Sequence, residues 1–80
     1  MLGWFWWHHL YSPGTKSGVP DLHLLRERHL VVELKREKGK LSKAQEEVLE
    51  RYRKAGVETY VWFPHDWDEI VETLRRRGKG

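Results

Sequence analysis

Two apolar runs, DLHLLR at residues 21–26 and LVVELK at 30–35, are separated only by the polar tripeptide ERH. Each run has strand length, and the short gap between them fits an antiparallel hairpin. A charged residue stands inside or beside each run where a core residue would be expected. Side chains alternate faces along a strand, so Glu33 and Lys35 point to one side and Leu34 to the other, their Cα atoms ~6.6 Å apart. Pairing with the preceding strand, ~4.8 Å away, brings the Asp21 carboxylate beside that of Glu33. Two carboxylates that close repel unless a cation sits between them or one is protonated.

The rest of the chain builds around this hairpin. WFWWH at 4–8 is a short β-prone run, and SPGTKSG at 12–18 is a loop broken by Pro, Gly and Ser. From Ser42 the period becomes helical. Ser42 and Gln45 make a capping box, Ala44, Val48, Leu49, Tyr52 and Ala55 form the stripe, and Gly56 ends it. ETYVWF at 58–63 is a further strand closed by Pro64. Asp66 with Glu69 repeats the capping box for a last helix with Trp67, Ile70, Val71 and Leu74 on its stripe. The expected order is β-β-β-α-β-α: a single α/β domain over residues 1–80, a mixed sheet with helices packed on its apolar face.

With 80 residues and no cysteine, one small core is only marginally stable and has no disulfide or thiolate zinc site to support it. The five tryptophans or a second subunit become the sources of stability. No apolar run approaches the ~18 residues of a membrane span, and no basic region precedes the N-terminal aromatics, so the chain reads as cytoplasmic. The net charge of +3 gathers at Lys35–Lys40 and Arg75–Lys79 and suits a polyanionic partner. The lack of asparagine, the single glutamine and the wealth of Glu, Lys and Arg match a hot-environment composition.

Between the two carboxylates, a hard divalent ion is the natural solution. Mg²⁺ takes oxygen ligands and accepts phosphate oxygens in its remaining positions, which suits phosphodiester cleavage. Lys35 would orient a water or neutralise charge developing on the phosphate. The competing reading makes Asp21 a turn residue after Pro20 and leaves Glu33 and Lys35 on a solvated sheet face. Val31 shares that face, which is therefore not uniformly polar.

GW at 3–4, His8, GVPDL at 18–22, VVELK at 31–35, GKLSKAQ at 39–45, AGVETYVW at 55–62 and DWDEI at 66–70 together resemble the VRR-NUC domain, a family of the PD-(D/E)xK nuclease superfamily. The resemblance runs from Gly3 to about Leu74. It implies a restriction endonuclease-like mixed sheet with flanking helices and Mg²⁺- or Mn²⁺-dependent DNA cleavage. For stand-alone members of phage and bacterial type, it implies a homodimer acting on branched or structured DNA, in the manner of a Holliday junction resolvase. Asp21 and Glu33 match the family's metal ligands, the backbone carbonyl of Leu34 would be a further one, Lys35 matches the catalytic lysine, and Gln45 matches a recurring glutamine of the following helix. Members usually carry a helix before the position of Gly3, with another acidic residue; this chain begins after it. A DNA-binding module that keeps the fold without turnover is accordingly the rival expectation.

Arg36, Lys38 and Lys40 follow the Glu33 strand and would hold phosphates beside the site. Arg75–Lys79 falls in the last helical turn, where the helix dipole already favours positive charge. Among the five histidines none forms an i, i+4 pair, so zinc is not expected; His23, on the Asp21 face, is expected to be an exposed neutral histidine, the alternative being one that touches substrate or an outer water. Trp4, Phe5, Trp6 and Trp7 put rings on both faces of a strand, which suits a core or subunit interface more than base stacking. With Trp67, Ile70, Val71, Leu74, Tyr60 and Trp62, they are the expected surfaces of a two-fold homodimer.

Overall fold

The computed structural model describes residues 2–8 and 18–77; the expected loop at 12–18, apart from Gly18, and Lys79 of the C-terminal basic run lie outside them. Strands β1 (Phe5–His8), β2 (Leu22–Leu25) and β3 (His29–Leu34) precede helix α1 (Lys43–Lys54); strand β4 (Glu58–Trp62), a 3₁₀ turn (Pro64–Asp66) and helix α2 (Trp67–Arg75) follow. The sheet order is β1-β2-β3-β4. β1–β2 and β2–β3 are antiparallel, whereas β3–β4 is parallel, with α1 as the crossover that a parallel pair requires. The architecture is the expected α/β one, a mixed sheet with flanking helices.

The two helices do not share a face. Trp4, Leu22, Leu24, Leu30, Val32, Trp62 and Leu74 form the core cluster, with Tyr60 and Ile70 packed against it. This is the α2 side of the sheet. The opposite side carries His23, Val31 and Glu33, and there α1 lays Tyr52 edge-on against His23 at 6.1 Å and Gln45 against Glu33. Both sheet faces need cover because β3 is buried on each of them, so packing both helices on one apolar face would leave Val31 and Glu33 in water.

A set of arginines in the tight β2–β3 turn locks α2 onto its face. The Trp4 indole N–H donates to the Leu74 carbonyl at 2.9 Å, and Arg26 and Arg28 lie over its ring at 4.3 and 5.6 Å. Arg28 grips Glu58 with both arms at 2.6 Å and donates to the carbonyls of Thr73 and Arg76, while Arg26 adds a bond to Arg76. Cations therefore satisfy the orphan carbonyls at the end of α2, as the helix dipole favours. The other end of α2 departs from expectation. Asp66 makes no side-chain cap to the helix; its carboxylate accepts instead from the Phe63 N–H at 2.9 Å and closes the 3₁₀ turn. Pro64 forces this, since it fixes the turn one step before the helix begins.

Of the four N-terminal aromatics only Trp4 is a core residue; Phe5, Trp6 and Trp7 are 68%, 45% and 40% exposed. On the α2 side, Leu22, Leu34, Trp62, Trp67, Ile70 and Leu74 help to line an apolar cavity of about 400 Å³. The Trp62 indole N–H at its wall is buried without a partner.

Helix α1 is held against the start of β2 by a glycine. Gly18 adopts φ +86°, and a Cβ there would lie 2.5 Å from the Ala44 carbonyl oxygen. Gly56, at φ +89°, ends α1 in the left-handed turn expected of it. Gly18→Ala should therefore cost about 2–4 kcal/mol, combining φ strain with a backbone clash, as read by urea denaturation. A change under about 0.5 kcal/mol would show that Gly18 does not set this contact.

Candidate active site

Continuing the β2–β3 register by one step beyond Leu22↔Val32 sets Asp21 across from Glu33. Pro20 is fully buried and fixes the entry to β2. The Asp21 carboxylate accepts from the Leu34 backbone N–H at 3.0 Å. That bond extends the hairpin ladder through a side chain and aims the acid at the end of β3.

Glu33 is the unusual residue of this face, a carboxyl 1% exposed in the middle of a small protein. One oxygen accepts from the Gln45 side-chain N–H at 3.2 Å, and the other is buried with no hydrogen-bond partner. Its pKa is pushed up to about 8, first by burial and then by the adjoining Asp21 carboxyl, with Lys35 pulling the other way. A buried carboxyl with one unsatisfied oxygen beside a second carboxyl either keeps its proton or takes a cation.

Gln45 ties the site to α1. Its side-chain oxygen accepts from the Lys35 ammonium and from the Ser42 N–H, each at 2.8 Å, while its amide donates to Glu33. Ser42 completes the reciprocal bond, accepting from the Gln45 N–H at 3.1 Å. The capping box that starts the helix thus also spaces Lys35 from Glu33, so the two are bridged by an amide and not directly paired. Lys35 leaves β3 with its N–H bonded to the Trp62 carbonyl at 2.9 Å, which keeps it on the Glu33 side.

The fold thus brings together Asp21, Glu33, Lys35 and Gln45, with the Leu34 backbone between Glu33 and Lys35. Among the described residues no cluster of three or more His, Cys, Asp or Glu side chains is placed to hold a metal. The acidic donors are two, and a cation there would draw the rest of its oxygens from backbone, water or substrate. The orphaned Glu33 oxygen and the all-oxygen donor set suit a hard ion. Arg36, Lys38 and Lys40 are exposed in the turn after β3, closed by a Gly39 N–H bond to the Arg36 carbonyl at 2.8 Å. Glu37 pins that turn to His65 at 2.5 Å, a contact that sequence reasoning missed because the two residues lie far apart in the chain. His23 is half-buried under Trp7, so it is not a freely exposed histidine.

A family model, the VRR-NUC domain, matches residues 8–62, more than half of the chain, and includes Asp21, Glu33, Lys35 and Gln45. It stops short of Gly3 and Trp4 at one end and of DWDEI at the other. No curated protein and no solved structure matches the chain.

The raised Glu33 pKa has a signed consequence for stability. Its folded value lies above the ordinary 4.5, so the folded protein holds the proton more tightly than the unfolded chain. The contribution is complete below about pH 4.5 and is lost as pH rises toward about 8. In EDTA, wild-type stability relative to Glu33→Gln should fall across that window, the variant being the more stable at pH 8. Denaturant titrations of both proteins at several pH values read this directly, and a constant difference would contradict the assigned burial and coupling.

Proposed function

As the chain belongs to the VRR-NUC domain family, which implies a nuclease-type function, we propose that it is a divalent-metal-dependent endodeoxyribonuclease. The observation that carries this reading is the unsatisfied, buried Glu33 oxygen beside the Asp21 carboxyl. Asp21, Glu33 and the Leu34 carbonyl would hold Mg²⁺ or Mn²⁺. When bound, such an ion supplies Lewis-acid polarisation of a phosphate oxygen and a water of lowered pKa.

The chain's own groups divide the remaining work. The Lys35 ammonium, aimed by Gln45, neutralises charge developing on the scissile phosphate or orients the attacking water. Gln45 is a positioning residue: it keeps Lys35 from collapsing onto Glu33, which would fill the carboxylate with an internal cation. Asp21 holds the end of β3 through the Leu34 N–H while offering its other oxygen to the site. Arg36, Lys38 and Lys40 supply backbone contacts to DNA phosphates beside it.

A homodimer acting on branched DNA completes the proposal. The α2 side presents an apolar cavity rimmed by Leu34 and Trp67, 42% and 67% exposed, with an unpartnered indole N–H in its wall. Such a surface suits a second subunit, and two subunits offer two sites to two strands. Among the described residues no helix is long and apolar enough to cross a membrane. The other reading, a DNA-binding module without turnover, is favoured by the absence of a third gathered acidic group among those residues. Incubation with supercoiled and branched DNA, in Mg²⁺ or Mn²⁺ against EDTA, separates the two.

Asp21→Asn and Glu33→Gln should each lower cleavage by ~10²-fold or more while DNA binding is retained or strengthened, since each removes a metal-ligating carboxylate and neither adds negative charge facing the phosphate. Lys35→Ala should lose turnover to a similar degree with Mn²⁺ affinity preserved. Cleavage at the wild-type rate by either carboxylate variant would reject the assignment, and loss of Mn²⁺ affinity in Lys35→Ala would make the lysine structural. Light scattering at micromolar concentration should give twice the 9.7 kDa chain mass. A monomer with full nuclease activity would reject the dimer.

A further inference from the structure

The α1 side of the sheet carries, besides Glu33, aromatic rings that neither the core nor the catalytic proposal uses. Across the strands Trp7 pairs with His23 and His23 with Val31, so their side chains share the face of Glu33. Trp7 and His23 stack at 4.9 Å with their planes 4° apart. His23 is itself backed by His29, with ring centroids 5.7 Å apart, and by the edge of Tyr52 at 6.1 Å. One face of the Trp7 indole is thus fixed against a supported ring. β1 is an edge strand of the sheet, so among the described residues no further strand lies beyond the other indole face. Trp7 is 40% exposed and Phe5, 5.6 Å from it at a 51° tilt, is 68% exposed.

From the geometry we infer that Trp7, braced by His23 and flanked by Phe5, is a stacking platform for an unpaired base of the DNA strand held at the Asp21–Glu33 site. This rests on the nuclease reading above and names the part of the substrate it takes. Trp7 lies one strand across and two residues along from Asp21, about 8 Å in the sheet plane from a ~4.8 Å strand spacing and a ~6.7 Å two-residue rise. A nucleotide adjoining the scissile phosphate reaches that far. Every base has a π face, so such a platform selects for unpaired bases and not for sequence. In a duplex the bases already stack on one another, and the indole has nothing to receive. The platform therefore favours DNA with single-stranded character near the cut, as at a flap, a junction or an open end. The same strand separates the two faces: Trp6 and His8 alternate onto the α2 side, opposite Leu24 and Leu22, while Phe5 and Trp7 stay with the site.

The test measures binding of an oligothymidylate and of an equally long duplex, in EDTA so that neither is cut, by fluorescence anisotropy of labelled DNA. Trp7→Ala should weaken the single strand by roughly tenfold or more and leave the duplex within about twofold, in line with the stacking worth of an aromatic. Trp7→Phe should recover most of that loss. Equal losses on both DNAs, or no loss on the single strand, would overturn the platform. If Trp7→Ala folds poorly, Phe5→Ala replaces it and should weaken the single strand while leaving the duplex within about twofold. Failure of the platform leaves the cleavage defects of Asp21→Asn and Glu33→Gln intact, whereas a wild-type protein that neither binds nor cuts any DNA would overturn the nuclease reading and the platform with it.

Discussion

Burying the Glu33 carboxyl is the constraint around which this small fold is arranged. At 1% exposure the group cannot be solvated, and its ionised form is opposed by both burial and the neighbouring Asp21 carboxyl. A core of 80 residues has little stability to spare for such a group. The position is held because three independent elements meet there. The entry to β2 supplies Asp21, β3 supplies Glu33 and the Leu34 N–H, and α1 supplies Gln45, whose amide satisfies one Glu33 oxygen while leaving the other unfilled. Preorganising two acids and a lysine without letting them neutralise one another is what a cation-dependent site requires.

The two faces of the sheet separate stability from chemistry. On the α2 side, aliphatic side chains of β2 and β3 pack with Trp4, Trp62 and Leu74, and Arg26 and Arg28 tie the turn of the hairpin to the end of the helix. Arg28 and Glu58 reinforce one another: the bidentate contact lowers the Glu58 pKa, and the Tyr60 hydroxyl adds a donated bond at 2.8 Å. On the α1 side the packing is thinner and more polar. There Gly18 lets the N-terminal turn of α1 approach β2 closely enough for Gln45 to reach across to β3. The register of one hairpin serves both faces, because moving it by one residue would exchange Glu33 with Val32 and bring the acid into the apolar core.

What could be read from the residues followed from local periodicity. The two-residue alternation of LVVELK placed Glu33 and Lys35 on one side, and the Ser42/Gln45 box with the α1 stripe fixed that helix. The α/β order follows from the same signals. Gln45 was legible in two separate roles, as a cap and as a site residue, but their union in one side chain depends on how α1 sits over β3, which no local pattern encodes. The same applies to helices on opposite faces, to Asp66 closing a 3₁₀ turn, and to Arg26 and Arg28 capping a helix some fifty residues away. The tryptophan run could be assigned to a core or a subunit interface but not divided residue by residue: among the described residues Trp4 alone of the run has a backbone carbonyl partner and a buried place, and Phe5, Trp6 and Trp7 stay exposed.

The central claim is that the Glu33 proton and a divalent cation compete for one buried oxygen site. Calorimetric titration of Mn²⁺ into the protein at pH 7, in two buffers of different ionisation enthalpy, counts the protons released on binding. The account predicts release of about one proton per ion at pH 7, falling toward zero above pH 9, and loss of that release in Glu33→Gln, because Glu33 titrates near 8 in the metal-free protein. Mn²⁺ binding with no proton released at pH 7, or no binding at all, would contradict it.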